Sequence, residues 1–152
     1  MIRGRWFPQK SDISVPLALR RAVFFLERDA LDEEAQQVVV YEGELPVGTA
    51  RLWWAEGDFW VGSLGVLTEK RGKGYGDLLI RLVLYKALTH YAGRVQLACP
   101  PQTEAFFAKY GFTRQDEAEN PDAQVHMSIL GKDISLDGCR SCSASCGKDA
   151  QA

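Results

Sequence analysis

The sequence predicts an α+β domain of three layers (α/β/α), in which a mixed but mainly antiparallel sheet is flanked by helices. Three consecutive β-type runs are joined by tight turns, and strands joined in this way are antiparallel. Helical apolar periodicity occurs both before and after this group of strands. The chain has 152 residues, of which 46% are hydrophobic and 25% charged, as expected for one globular domain.

The first half of the chain supplies most of the predicted strands. Residues 2–7 predict a short strand that ends at Pro8. A helix is expected from Ser14, because the following apolar residues recur at helical spacing: Val15, Ala18, Leu19, Ala22, Val23 and Leu26. The acidic stretch 29–34 predicts a turn or a short helix. Three strands joined by hairpins follow, at residues 37–41, 47–54 and 59–67.

In the second half, a glycine-rich turn leads into a strongly apolar helix at residues 78–88. A strand is predicted at residues 94–98, and a helix ended by Gly111 at 102–110. Two further strands are predicted, from residue 112 onward and at 125–130. From residue 131 apolar residues become sparse and Gly, Ser and Asp dominate. We therefore expect one domain at 1–130 and a loosely ordered, cysteine-containing tail at 131–152.

Composition argues against two classes of partner. The formal net charge is −2 and the basic residues form no block, so neither nucleic acid nor an anionic membrane is an expected partner. No signal-peptide core follows the N-terminus, and charged residues interrupt every apolar stretch well short of a membrane span. These features predict a cytoplasmic protein.

The turn from Arg71 to Gly76, Arg-Gly-Lys-Gly-Tyr-Gly, has the chemistry of an anion site. Glycines allow several backbone N–H groups to point into one concavity, since no Cβ blocks the approach. The helix that follows leaves its first N–H groups unpaired and carries a partial positive charge at that end. Arg71 and Lys73 add positive charge at the rim. The sequence therefore predicts a site for a diphosphate or a similar anion.

Two common phosphate-binding turns do not fit this segment. The loop of nucleotide triphosphatases needs Gly-Lys-Ser/Thr to reach Mg²⁺, whereas Lys73 is followed by Gly74. A dinucleotide-binding turn needs G-x-G-x-x-G after a strand of a parallel unit. Here the glycines are spaced G-x-G-x-G after an antiparallel hairpin. A glycine-rich loop that only separates a strand from a helix remains the structural alternative.

Residues 63–79, SLGVLTEKRGKGYGDLL, resemble the acetyl-CoA-binding core of the GNAT superfamily of N-acetyltransferases. That core consists of a strand, a turn of the form Arg/Gln-x-x-Gly-x-Gly/Ala and a helix. Arg71, Gly74 and Gly76 match the three defining positions of that turn. Residues 104–112, EAFFAKYGF, resemble the late helix-to-strand segment of the same superfamily, A-x-x-F-Y-x-K-x-G-F. The resemblance covers residues 2–130.

The resemblance implies acetyl-CoA as co-substrate and a sheet splayed at the acetyl-CoA site. Main-chain groups of Leu64 and Val66 would bind the pantetheine arm, and the turn would hold the diphosphate. The implied cofactor-binding residues are Leu64, Val66, Arg71, Gly72, Lys73, Gly74, Tyr75, Gly76 and Asp77. A primary amine of a small molecule or peptide would attack the thioester directly in a ternary complex. The acceptor and the oligomeric state stay open, a homodimer included.

The catalytic residues are not identified by the sequence. The superfamily often protonates the departing thiolate with the Tyr of F-Y, but that position is Phe107 here. Tyr110 faces a different direction on the predicted helix, which favours a core or rim aromatic. Glu27 and Asp58 are candidate bases acting through water, although a solvated carboxylate is the simpler interpretation of each.

Two alternative functions follow from the remaining features. Phe107 and the absence of an acidic residue at 59–67 are compatible with an acyl-CoA-binding sensor that has little turnover. Cys139, Cys142 and Cys146 have metal-like spacing and suggest a metal- or redox-responsive protein, but a structural zinc site takes four ligands, so no metal is predicted. His90 and His126 show no partner in the sequence, which favours structural roles. Core positions are expected for three tryptophans, Trp53, Trp54 and Trp60, with one of them in the wall of an acceptor pocket as the alternative.

Overall fold

The fold is described from a computed structural model, which defines residues 1–115 and 124–136. Within these residues the strands are β1 (Ile2–Phe7), β2 (Gln36–Glu42), β3 (Leu45–Ala55), β4 (Asp58–Val66), β5 (Arg94–Cys99), β6 (Thr113–Arg114) and β7 (Val125–Leu130). They form one sheet in the order β1-β2-β3-β4-β5-β7-β6. Neighbouring strands are antiparallel except β4 and β5, which are parallel. The predicted mixed, mainly antiparallel sheet is confirmed.

Helices cover both faces of this sheet. The helices are α1 (Ser14–Phe24), α2 (Tyr75–Thr89) and α3 (Glu104–Ala108). The side chains of β2 show which helix packs on which face, since successive side chains of a strand point to opposite faces of the sheet. Val38 and Val40 belong to the main core with α2, whereas Val39 and Tyr41 pack with α1. The three-layer α/β/α arrangement predicted from the sequence is therefore confirmed.

The late helix is shorter than predicted. In place of a helix over 102–110, a 3₁₀ turn at Pro101–Thr103 precedes the five residues of α3. Pro100 is extended, with ψ of 147°, because a residue that precedes a proline avoids the α conformation. At the other end Gly111 takes a φ of 101°, which lies outside the helical region. A proline pair and a glycine thus limit the helix from both sides.

Two further expectations were wrong in part. The strand predicted from Phe112 is limited to the two residues Thr113–Arg114. Trp54 does not lie in the core: 53% of it is exposed, and its ring meets the edge of Phe59 with 4.9 Å between ring centroids. Trp53 and Trp60 are half-buried.

The described chain continues past residue 130. A 3₁₀ turn at Gly131–Asp133 follows β7, and Ile134 and Leu136 pack against the main core. Most of the predicted tail, including its three cysteines, lies outside the described residues. Among the described residues, no group of three or more His, Cys, Asp or Glu side chains is arranged to hold a metal ion.

A buried network of charged groups connects α1 to the sheet. Arg20, on α1, is 1% exposed and forms two hydrogen bonds of 2.8 Å with the carboxylate of Asp32. Gln37 on β2 bonds both of these side chains, at 3.1 and 2.9 Å. Arg51 on β3 lies 3.2 Å from Asp32 and forms two bonds with Asp29. The segment between α1 and β2 is thereby fixed against the face of β2 and β3.

The acidic group at the centre of this network stays ionised despite its burial. Burial by itself would raise the pKa of Asp32. The hydrogen bonds from Arg20 and the backbone N–H of Asp29, with the charges of both arginines, instead hold that pKa well below its usual range. Loss of this carboxylate would leave two buried guanidinium groups without their shared counter-charge.

We expect Asp32→Asn to lower the free energy of unfolding by about 3–5 kcal/mol, because removing one partner leaves buried charges uncompensated. Urea unfolding at pH 7 measures this change. Glu33→Gln is the matched control: Glu33 pairs with Arg28 at the surface, with 67% of its side chain exposed, and its replacement should cost at most about 1 kcal/mol. Equal stability of the two variants would contradict the importance of the network.

Candidate functional site

The site begins where the two parallel strands separate. β4 and β5 pair at Phe59–Val95, Trp60–Gln96 and Val61–Leu97, and at no later described position. β4 nevertheless continues to Val66. Over its last five residues the edge of β4 that faces β5 therefore has no partner strand among the described residues. This is the splay that the resemblance implied.

A β-bulge in β4 coincides with the separation. Between the Thr49–Gly65 and Arg51–Gly62 pairs, β3 has one residue and β4 has two. Ser63, one of these two, adopts a φ of 50°, which is uncommon for a residue with a Cβ. A bulge bends its strand and increases the local twist. The bulge thus explains why β4 turns away from β5 at this point.

The separation opens a cavity of about 770 Å³. Its walls come from β4, the glycine-rich turn, the end of β5, α3 and the end of α1. Eight of the nine predicted cofactor-binding residues line it: Leu64, Val66, Arg71, Gly72, Gly74, Tyr75, Gly76 and Asp77. Lys73 does not line this cavity; its ammonium group lies 3.8 Å from Glu42. Segments that are distant in the sequence therefore meet around one volume.

The glycine-rich turn has the geometry that the sequence predicts. Gly72 and Gly74 take φ values of 80° and 85°, a region that disfavours residues with a Cβ. α2 begins directly after Gly74, and no side chain caps its N-terminus. The N–H of Leu78 is the first with an acceptor one turn earlier, the carbonyl of Gly74, at 3.1 Å. The preceding N–H groups of the first turn are left without an intrahelical acceptor.

Glu42, at the end of β2, holds the turn against the sheet. It accepts hydrogen bonds from Lys70 Nζ, at 2.7 Å, and from the hydroxyl of Tyr75. These bonds lower the pKa of Glu42 to about 2 and raise the pKa of the Tyr75 phenol. Sequence reasoning missed this residue, because Glu42 lies 28 and 33 positions before its two partners and no local pattern connects them.

Arg71 also fastens the turn. Its Nε donates a hydrogen bond of 3.1 Å to the carbonyl of Val66, at the end of β4. The sequence placed the charge of this guanidinium at the rim of an anion site. In the structure the side chain lies against the strand end and fixes the short distance between strand and turn.

A family model described as an acetyltransferase (GNAT) domain matches residues 33–114 of this chain. The chain belongs to the GNAT acetyltransferase family. A curated relative from Bacillus subtilis (strain 168), described as uncharacterized N-acetyltransferase YjcF, is 30% identical over 105 residues, 68% of this chain and 75% of the relative. Membership of this family supports acyl transfer from a CoA thioester, and GNAT acetyltransferases act on amine acceptors.

Solved structures have the same fold. Escherichia coli ElaA matches with a TM-score of 0.75 and 21% identity, over 84% of this chain and 99% of that one. A GNAT family acetyltransferase from Elizabethkingia anophelis, solved with acetyl-CoA bound, matches with a TM-score of 0.70 and 13% identity, over 85% of this chain and 97% of that one. Within the described part of the chain, every helix is too short or too polar to span a bilayer.

Two aromatic residues, Phe107 in α3 and Tyr110 just after its end, have different environments. Phe107, in the position where many GNAT proteins have a tyrosine, is 6% exposed and lines the cavity. Tyr110 is equally buried, and its hydroxyl donates a hydrogen bond to Asp77 of α2. Asp77 also pairs with Arg81, at 3.0 Å. Of the predicted core or rim position for Tyr110, the core position is confirmed, and its hydroxyl connects the turn after α3 to the first turn of α2.

The two carboxylates suggested as bases lie outside the cavity wall. Glu27 forms a surface ion pair with Arg21, at 2.9 Å, and 70% of its side chain is exposed. Asp58, at the start of β4, accepts a hydrogen bond of 2.6 Å from Gln96. Cys99 lines the cavity as a buried free thiol, and burial raises its pKa. Of Glu27, Asp58 and Cys99, only Cys99 lines the cavity, and its raised pKa keeps the thiol protonated.

We expect Glu42→Gln to destabilise the protein more at pH 6 than at pH 3. The pKa of Glu42 is lowered from 4.5 to about 2, so its ionised form contributes stability above about pH 4.5. That contribution is lost as the pH falls from about 4.5 towards 2. Urea unfolding of both proteins at the two pH values measures the difference.

Glu44→Gln provides the control, because Glu44 is an exposed carboxylate in the neighbouring hairpin. Its replacement should have the same small effect at both pH values. A stability difference for Glu42→Gln that stays constant between pH 6 and pH 3 would show that this carboxylate does not hold the turn.

Proposed function

We propose that the protein is an N-acetyltransferase that moves the acetyl group of acetyl-CoA to a primary amine of a small molecule or peptide. The observation that supports this proposal is one continuous cavity. It is bounded by the unpaired edge of β4 at one end and by the uncapped N-terminus of α2 at the other. The first boundary suits an extended amide-containing chain, and the second suits a diphosphate. A CoA thioester contains both.

The pantetheine arm would lie along β4. An extended chain with amide groups can add to an exposed sheet edge as another strand does. Leu64 and Val66 are on the unpaired part of β4 and line the cavity. The carbonyl of Val66 already accepts one bond from Arg71, and a carbonyl oxygen has two lone pairs, so a second donor is accommodated.

The diphosphate would lie at the turn. Backbone N–H groups of residues 72–77 surround the N-terminus of α2, whose dipole favours an anion. Added Cβ atoms at Gly72 and Gly74 would meet no other atom within 4 Å, which leaves open space beside the turn for the phosphates. Lys70 and Lys73 supply positive charge nearby, partly balanced by Glu42.

The reaction would be a direct transfer in a ternary complex. A neutral amine nitrogen bonds to the acetyl carbon, the carbon–sulfur bond breaks, and CoA leaves as a thiolate. Phe107 has no proton to donate, and the hydroxyl of Tyr110 donates its hydrogen bond to Asp77. A thiol has an ordinary pKa of about 8.5, so the departing thiolate takes a proton from water near neutral pH without a dedicated acid.

A CoA-thioester-binding protein without turnover is the second candidate. Phe107 and the hydrogen bond of Tyr110 favour it, because neither aromatic supplies an acid to the cavity. The two functions make the same prediction for binding and opposite predictions for CoA release. They are therefore tested by two separate measurements.

For binding, we expect acetyl-CoA at about 100 times its dissociation constant to stabilise the protein by about 2.7 kcal/mol. Gly74→Glu should abolish this gain, because a carboxylate in the turn repels the diphosphate. Thermal unfolding with and without acetyl-CoA measures it. Gly57→Glu is the matched control, because Gly57 has a φ of 84° against 85° for Gly74, equally open surroundings, and a position in the β3–β4 turn away from the cavity.

Both glutamate variants should lose about 1–2 kcal/mol without ligand, since the left-handed conformation is unfavourable for any side chain with a Cβ. Only Gly57→Glu should keep the gain from acetyl-CoA. If Gly74→Glu is stabilised as strongly as the control, the diphosphate does not bind at this turn.

For transfer, we expect CoA release to depend on an added primary amine. A thiol-detecting assay with acetyl-CoA and a panel of phenethylamine, spermidine, L-lysine and a peptide with a free α-amine measures this, and mass spectrometry identifies the acetylated product. Gly74→Glu, which keeps the acceptor side unchanged, is the negative control. Stabilisation by acetyl-CoA without amine-dependent release for any panel member would favour the protein without turnover.

A further inference from the structure

The cavity reaches solvent on the sheet face on which α1 packs. Val61 and Leu97, on β4 and β5, line it from the opposite face and belong to the buried core with α2. Ala98, the next residue of β5, points to the α1 face, because successive side chains of a strand alternate, and it is exposed. Leu26, just after α1, lines the cavity and is exposed as well. An acceptor that comes from solvent therefore enters beside the end of α1.

The last turn of α1 packs tightly on β4. A Cβ added at Gly65 would lie 2.7 Å from side-chain atoms of both Val23 and Phe24. Gly65 is on the unpaired part of β4, between the two residues proposed to bind the pantetheine arm. Val23, Phe24 and Leu26 all line the cavity, and we call these three side chains the apolar wall. The apolar wall thus lies against the strand that would hold the pantetheine arm.

The charged groups that line the cavity come from other segments, and most of them are positive. Among the described residues they are Lys70, Arg71, Asp77 and Lys109. The first three lie in or beside the glycine-rich turn, and the fourth follows α3. Asp77 already pairs with Arg81 and accepts the hydrogen bond of the Tyr110 hydroxyl. An acceptor with a second cationic group would therefore meet positive charge, and the carboxylate of this set is already paired.

We infer that the acceptor is a primary amine with an uncharged, apolar substituent that packs against the apolar wall. This inference rests on the proposed acetyl transfer and names the substrate class for it. The amine nitrogen meets the thioester where β4 and β5 separate, near Gly62 and Ala98, which both line the cavity. The substituent extends from there to the end of α1. Its contact with the apolar wall removes nonpolar surface from water, which favours binding.

Leu26 is the member of the apolar wall that can be changed with the least effect on the fold. It is 51% exposed, whereas Val23 and Phe24 are half-buried and pack on β4. A bound substituent covers part of the exposed leucine surface. A polar replacement removes this contact and leaves the buried core unchanged. Substitutions at this position therefore test the contact separately from the stability of the protein.

Leu26→Gln tests the contact, and Leu130→Gln is its matched control. Leu130, at the end of β7, is 39% exposed and is not among the described residues that line the cavity. We measure kcat/KM at saturating acetyl-CoA for phenethylamine and hexylamine, which have apolar substituents, for spermidine, which has further cationic groups, and for L-lysine. In the unmodified protein, both apolar amines should exceed spermidine and L-lysine by about 10-fold or more.

Leu26→Gln should lower the ratio of phenethylamine to spermidine in kcat/KM by about 10-fold, because the substituent loses an apolar contact. Leu130→Gln should keep the ratio. Leu26→Glu is the second variant: its carboxylate attracts the further cationic groups of spermidine, so the ratio should fall more than in Leu26→Gln. A leucine with only a structural role would change the rates for all amines alike. Thermal stabilisation by acetyl-CoA checks the cofactor site of each variant.

An unchanged ratio in both Leu26 variants, or a preference of the unmodified protein for spermidine or L-lysine, would overturn the inference and leave the acetyl transfer intact. Absence of CoA release with every amine would instead overturn the proposed function and its acceptor class together. Binding gives a readout without turnover. With CoA present, phenethylamine should raise the unfolding temperature of the unmodified protein and of Leu130→Gln more than that of Leu26→Gln. An equal rise in all three would overturn the contact with Leu26.

Discussion

The two central strands, β4 and β5, pair over only three residue pairs and then separate, and the rest of the site depends on this separation. It leaves the edge of β4 that faces β5 without a partner strand over its last residues, within the described part of the chain, and it creates the cavity between that edge and α3. It also places Ala98, near the end of β5, in the wall of the opening. A sheet paired over the full length of both strands would have neither the volume nor the exposed edge.

Two sets of long-range contacts keep the separated region in shape. Glu42 holds Lys70 and Tyr75, so the turn stays at the end of the sheet although glycine makes it intrinsically flexible. On the other face, the ion network around Asp32 fixes the segment after α1 against β2 and β3. α1 itself packs closely on β4: a Cβ added at Gly65 would lie 2.7 Å from Phe24. The cavity is therefore held from two sides.

The sequence predicts features that depend on neighbouring residues and fails where distant strands meet. Hairpin lengths, helical periodicity and the glycine spacing are local patterns, and they were sufficient for the three layers and the turn. Glu42 was missed, because its bonds to Lys70 and Tyr75 are known only when the position of the glycine-rich turn against the end of β2 is known. The late helix was overestimated because the residues from Pro101 to Thr103 form a 3₁₀ turn after the proline pair, and because α3 ends at Ala108, before Gly111.

The central claim is that the separated strand edge and the glycine-rich turn bind one acetyl-CoA molecule. An amide ¹H–¹⁵N titration of the labelled protein with acetyl-CoA tests it most directly. We expect the largest shift changes at Gly72, Gly74 and Gly76 together with Leu64 on β4, and none at Gly57 in the β3–β4 turn. Large changes restricted to residues outside the cavity, with the turn glycines unaffected at saturation, would contradict the account.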